Sequence, residues 1–282
     1  MEAKLRKTNS EKRIEFIRIE SFGVQISFEI GEGLQWLKIK KRLKFILPNG
    51  FDELDNLEDE ARRFNLTKNE DGSFNVAEDG REIVGRVSEA TMFEHFERRV
   101  RLTVAEYAVN KVFLHAGVVG WKGRAIVIPA KSFQGKTTLV SELVKKGAIY
   151  YSDEYAVIDE NGLVHPFPKM LSMRGIIDDF QQVDVPIEKI GGIAGNEPLP
   201  VGMVLMTQFQ PNARWKPKSL SPGNAILEII AHTLPIRNKP EFTLKVLNNM
   251  MNRAIITKTK RGDAALTAEL LIGFFEKQAL KT

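Results

Sequence analysis

Apolar and polar positions alternate over residues 14 to 30, most clearly at Val24, Ile26, Phe28 and Ile30, which predicts strands with one buried face. The next stretch sets Trp36, Ile39, Leu43 and Ile46 against Lys38, Lys40, Lys41, Arg42 and Lys44, an amphipathic segment read as a helix with one solvated face. Residues 50 to 72 are acidic and polar and are expected to be loop-rich. Phe74-Asn75-Val76 and Glu82-Ile83-Val84 flank Asp79-Gly80, the signature of a hairpin. Ser88 is placed to cap a long helix through Met92, Phe93, Phe96, Val100 and Tyr107.

Beyond that helix the pattern changes to unbroken apolar runs. Residues 112 to 120, VFLHAGVVG, form one such run, and Lys122-Gly123-Arg124 turns the chain into a second, Ala125-Ile126-Val127-Ile128. Leu139, Val140, Leu143 and Val144 then follow at helical spacing, with Gly147 where a helix would end. Residues 148 to 158, AIYYSDEYAVI, read as a strand interrupted by Ser152, Asp153 and Glu154. Gly191-Gly192 to Pro200 marks a loop, Val201 to Phe209 a buried strand, and Ala264 to Phe275 an apolar-faced helix. No repeats or low-complexity segments interrupt this order. The organisation expected is a small N-terminal α/β region over 1–98 and a larger α/β domain over 99–282, with room for the two to pack as one unit.

Composition narrows the class. A chain of 282 residues, 43% hydrophobic, can bury one large core or two modest ones. No apolar run approaches the ~18 residues of a membrane span, and the opening MEAKLRK lacks the apolar core of a signal peptide. With no cysteine there are no disulfides and no cysteine-ligated metal sites, so a cytoplasmic location is expected. The net charge of +5 is partly local to the basic helix and specifies neither nucleic acid nor membrane as a partner.

The chemistry concentrates around residues 130 to 137. Gly135, Lys136 and Thr137 occupy the last three positions of a phosphate-binding loop, between an apolar strand and a helix. The first position, ordinarily glycine, is Ala130, which a loop with φ below zero there would tolerate. Backbone N–H groups of Lys131, Ser132, Phe133, Gln134 and Gly135, with those of Lys136, Thr137 and Thr138, would cradle phosphates at the helix N-terminus. Lys136 can reach the β- and γ-phosphates of ATP, and the Thr137 hydroxyl can ligate Mg²⁺ or Mn²⁺. A ten-residue helix runs roughly 15 Å from the loop, and the strand that follows covers roughly 17–20 Å on its return. That arithmetic brings Asp153 and Glu154 back beside the phosphates. Adjacent strand residues face opposite ways, so the two acids are expected to divide the work of metal ligand and base.

On these residues the chain resembles the HPr serine kinase/phosphorylases, whose catalytic domain is related to phosphoenolpyruvate carboxykinase. The resemblance rests on His115-Ala116-Gly117-Val118, Ala130 to Thr137, Leu143-Val144-Lys145-Lys146-Gly147 and Ser152-Asp153-Glu154, in the family's order. Ser172-Met173-Arg174-Gly175-Ile176 and Ser221-Pro222-Gly223-Asn224, which opens an apolar helix, extend it over roughly residues 108 to 235. It implies a P-loop-containing domain of mixed β-sheet and helices of the HPr kinase/PEP carboxykinase type. It further implies that Glu154 deprotonates the acceptor hydroxyl, that His115 supports this base, and that Asp153 lies close to the metal. Arg174 matches an arginine near the phosphates; apart from the resemblance, Arg214 is a candidate to stabilise charge on the transferred group or, with Trp215, a stacked surface pair. Ser172 stands where the family has a metal-binding glutamate, which implies weaker metal affinity; Asp178 and Asp179 are read as helix-start acids rather than replacements. The expected activity is transfer of the γ-phosphoryl group of ATP to a serine of a peptide or protein. A kinase of a small hydroxylated metabolite such as free serine is the alternative enzyme, and a catalytically degenerate nucleotide-binding regulator the alternative from another class. Homo-oligomerisation is left open.

Overall fold

The computed structural model describes residues 15–130, 135–173 and 183–280. The chain divides into two compact units, with the seam between Arg101 and Leu102. The first unit holds β1 (Glu15–Ser21), β2 (Val24–Ile30), α1 (Trp36–Ile46), β3 (Asp52–Glu53), β4 (Arg62–Lys68), β5 (Phe74–Glu78), β6 (Arg81–Val87) and the opening turns of α2 (Glu89–Tyr107). Its sheet runs in the order β3-β1-β2-β4-β5-β6. The alternation read from sequence places Ile17, Ile19, Ile26, Phe28, Phe64 and Leu66 in the core, with Ile39 and Leu43 of α1. Phe28, Phe64 and Phe96 meet there as a ring cluster with centroids 5.5 to 6.1 Å apart. The hairpin turns at Asp79 and Gly80, both at positive φ (49° and 77°), as its two-residue connection requires.

One expectation holds only in part in this unit. Residues 50 to 72 are not merely loop, because they contain β4, an interior strand of the sheet paired with β2 and β5. Only Phe64 and Leu66 mark its buried face, and the surrounding acids and amides hide so short an alternation. The basic helix face behaves as a solvated one: Lys38, Lys40 and Arg42 pair with Glu89, Glu53 and Glu97.

The second unit continues α2 and adds β7 (Lys111–Trp121), β8 (Arg124–Pro129), α3 (Lys136–Lys145), β9 (Ile149–Ser152), β10 (Tyr155–Asp159) and β11 (Leu163–His165). There follow β12 (Leu171–Met173), β13 (Val183–Val185), β14 (Leu199–Phe209), β15 (Lys218–Ser219), α4 (Pro222–Ile229), α5 (Pro240–Met251), β16 (Ile255–Arg261) and α6 (Ala264–Ala279). The main sheet has the order β11-β10-β7-β8-β14-β16-β15, with β9 also paired to β7. Its apolar runs are unbroken because both faces are covered. Ile126 and Ile128 pack on the side of α3 and α6, with Leu139, Leu143, Leu271 and Phe275. Ala125 and Val127 pack on the side of α4 and α5, with Ile229, Val246 and Met250. Strands β8, β14 and β16 are mutually parallel, so their carboxyl ends share one edge of the sheet, where ligands of open α/β sheets bind.

Candidate active site

Gly135 caps α3 at φ 72° and ψ 24°, the left-handed region. The backbone conformation calls for glycine, and a Cβ there would lie 2.3 Å from Arg261 Nη2, so the guanidinium would have to move. Ala130, by contrast, is buried and does not have positive φ, which is why the methyl group is accepted at the loop's first position. At the other end of α3, Gly147 N–H donates to Val144 O at 2.8 Å and Ala148 N–H to Leu143 O at 3.1 Å, closing the helix through a left-handed glycine at φ 96°. Thr138 is exposed in the first turn. Lys131, Ser132, Phe133 and Gln134, with Arg174, Asp178 and Asp179, lie outside the described residues.

Asp153 and Glu154 fill the two-residue break between β9 and β10, both of which pair with β7. Asp153 is buried, and its Oδ2 accepts from Thr137 Oγ1 at 3.0 Å and from Ser172 N–H at 3.3 Å. Tyr150 Oη donates to Lys169 O at 2.6 Å and reaches Asp153 Oδ1 at 3.2 Å. Burial pushes the Asp153 carboxyl above the usual carboxylate range, opposed chiefly by the ammonium of Lys169. Lys169 acts on both acids: its Nζ lies 3.8 Å from Glu154 Oε2, and its charge opposes the rise of the Asp153 carboxyl. The same lysine donates to Ser172 Oγ at 2.7 Å, and Ser172 Oγ donates to Asp184 Oδ1 at 2.9 Å. Ser172 is therefore a hydrogen-bonded relay between Lys169 and Asp184.

Lys136 folds back over β7. Its Nζ lies 3.3 and 3.2 Å from the two ring nitrogens of His115 and 3.4 Å from Ala130 O. The ring Nδ1 is 3.1 Å from the same carbonyl, which suits a neutral imidazole donating from Nδ1 and accepting at Nε2. Gly117 makes the close approach possible, since a Cβ there would meet Val140 Cγ2 at 2.6 Å and Lys136 Cγ at 3.0 Å. Burial, then the Lys136 charge, lowers the His115 pKa to about 4, with Glu154 opposing. Burial likewise lowers Lys136 to about 8, while Asp153 and Glu154 hold it up. At neutral pH the pair is thus ammonium and neutral ring.

The arginines divide. Arg214 is exposed and lines a cavity beside Ala130. Arg261, absent from the sequence-based site, is 3% exposed, and its Nη2 donates to Gly135 O at 2.8 Å. A signal for it existed: Thr257, Thr259 and Arg261 share the buried parity of β16, whereas Lys258 and Lys260 face out. Lys169 and Asp184 carried no such signal, because neither their spacing nor their neighbours announce the acidic pair.

The described residues contain no cluster of three or more His, Asp or Glu able to hold a metal by themselves. The Thr137 hydroxyl and Asp153 carboxylate, already in contact, fit an ion that takes one or two protein oxygens and completes its shell with phosphates and water. No helix among the described residues is long and apolar enough to cross a membrane. No family model and no curated protein matches the chain. Among solved structures, the Hpr(Ser) kinase/phosphatase from Coxiella burnetii aligns with 59% of this chain and 98% of its own, at 15% identity and a TM-score of 0.34.

Proposed function

We propose that this protein transfers the γ-phosphoryl group of ATP to a hydroxyl, with a serine-type acceptor. The observation that carries the reading is the contact of Thr137 Oγ1 with Asp153 Oδ2 at 3.0 Å, which joins the helix-capping G-K-T to the acids at the β9–β10 break. The unpaired N–H groups at the start of α3 and the Lys136 ammonium would bind the phosphates. Thr137 and Asp153 would hold Mg²⁺, which when bound neutralises charge on the β- and γ-oxygens. Glu154 takes the acceptor's proton as its oxygen bonds to Pγ; the bond from Pγ to the β–γ bridging oxygen breaks, and ADP leaves. Lys169 lies beside both acids and its charge partly offsets the burial that raises the Asp153 carboxyl. Arg261 holds the Gly135 carbonyl, and with it the first turn of α3, in place.

The test is ATP consumption in the presence of Mg²⁺ and hydroxyl acceptors, comparing wild type with Lys136→Ala at matched circular dichroism. Transfer should fall at least about 10³-fold and ATP binding should weaken, because the reaction is largely positioning and electrostatics. A folded Lys136→Ala protein of undiminished activity would refute the assignment. Activity in excess chelator would refute the metal's part in it.

A further inference from the structure

A cavity of about 560 Å³ opens beside Ala130, on the α4 side of the sheet, at the carboxyl ends of β8 and β14. Its wall carries Arg214, Lys216, Lys218, Lys258 and Lys260, against the single carboxylate Glu228. Glu228 is already engaged by Lys258 at 2.7 Å. Among the described residues, no carboxylate pairs with the other four cations. Two of the lysines are held together by the fold: Lys218 and Lys258 are directly opposed in the antiparallel register of β15 and β16. Like charges directly opposed disfavour a strand pair, and here Glu228 offsets only Lys258. Lys260 follows on the same exposed face of β16. A concave lining with five cations against one carboxylate concentrates anions.

The cavity also shares a wall with the transfer site. Ala130 lines it, and the carbonyl of Ala130 is the group on which His115 and Lys136 converge. Lys136 itself projects from α3, which packs on the opposite face of the sheet. The cavity cations are therefore a separate set from the phosphate-loop lysine. We infer that the cavity binds an oxyanion, carboxylate or phosphate, carried by the hydroxyl acceptor, so that the acceptor is an anionic hydroxy compound. This rests on the phosphotransfer reading above, which supplies the acceptor.

The test uses the full chain saturated with Mg²⁺ and AMP-PNP, which fills the phosphate loop, and calorimetric titration with inorganic sulfate as the oxyanion probe. In a Lys216→Ser/Lys260→Ser double variant, sulfate affinity should fall about tenfold or more while AMP-PNP affinity changes less than about twofold. Labelling from [γ-³²P]ATP should favour L-serine over L-serinamide, or glycerol 3-phosphate over glycerol, by about tenfold. The pair that responds distinguishes a carboxylate from a phosphate. The inference is overturned if sulfate affinity does not move, if the neutral member of each pair is labelled as well as the charged one, or if AMP-PNP affinity falls in step with sulfate. The last result would give the cations to the nucleotide. Failure of the wild type to bind AMP-PNP would instead strike the phosphotransfer reading, and sulfate titration of the nucleotide-free protein would still judge the cavity.

Discussion

Ala130 separates two electrostatic regimes. On the β9–β10 side, charges are buried and held by internal partners: Asp153 by Thr137 and the Ser172 N–H, and Lys169 between Glu154 and Asp184. On the α4 side, Arg214, Lys216, Lys218 and Lys260 stand exposed. The difference follows from solvent. A buried ion without a partner costs several kcal/mol, so the acidic side must be internally compensated before any ligand arrives. An exposed ammonium costs little, so the basic side can remain uncompensated until an anion arrives. The first region suits bond-making chemistry, where geometry is fixed in advance, and the second suits capture.

Glu154→Gln should break the acidic side most severely. We expect binding of Mg·ATP to persist and the transfer rate to fall by about 10²–10⁴, the range for losing a positioned base. Asp153→Asn should instead raise the Mg²⁺ concentration required. Normal turnover by Glu154→Gln beside a dead Asp153→Asn at saturating Mg²⁺ would give the base role to Asp153.

The next effect concerns the shared wall. The folded-state pKa of His115, about 4, lies below the ordinary 6.5, so its neutral ring contributes stability that is complete above pH 6.5. That contribution is lost as pH falls through the folded value, because the unfolded chain takes up the proton first. Wild type should therefore lose up to about 3 kcal/mol more than His115→Asn between pH 7 and 4, measured by urea denaturation. Parallel curves for the two proteins would mean the ring carries no such penalty.

Lys169→Met sharpens the contrast between the two sides, since it turns a compensated site into an uncompensated one. With the ammonium gone, the Asp153 carboxyl, already raised by burial, loses the charge that opposes that rise, and the acid limb of the pH–rate profile should move up. Lys169→Arg should return it. An unmoved acid limb in a folded Lys169→Met protein would reduce this lysine to packing. The smallest effect is expected from Arg261→Lys, which keeps the charge but loses the planar fork between Gly135 O and Gly262 O. AMP-PNP affinity should weaken about three- to tenfold; no change would mean that Gly135 holds its conformation unaided.

The hairpin at Asp79-Gly80, the Ser88 cap, the G-K-T start of α3 and its glycine end were all legible in the sequence. Each depends on groups a few residues apart, and the Ser88 hydroxyl indeed accepts from Thr91 N–H at 3.2 Å. The position of Asp153 near Thr137 was legible as well, because one helix and one strand of known rise connect them. Strand β4 was not, since two apolar positions among acids make too short a pattern to stand out.

Local order along the chain thus determined the strand, loop and helix, the return of the acids, and the tolerance of alanine at position 130. Only the tertiary structure decided which cations attend them. Arg261 reaches Gly135 across 126 residues, and Lys169 meets Glu154 because Ser172 and Asp184 bring its segment alongside. The parity of β16 sends Arg261 inward and Lys258 and Lys260 outward, but which helix or cavity each meets depends on the pairing of β14, β15 and β16. Periodicity reports which face of an element is buried. It does not report what the other element brings to that face, because the contact energy that selects the partner belongs to the packed sheet and not to either segment alone.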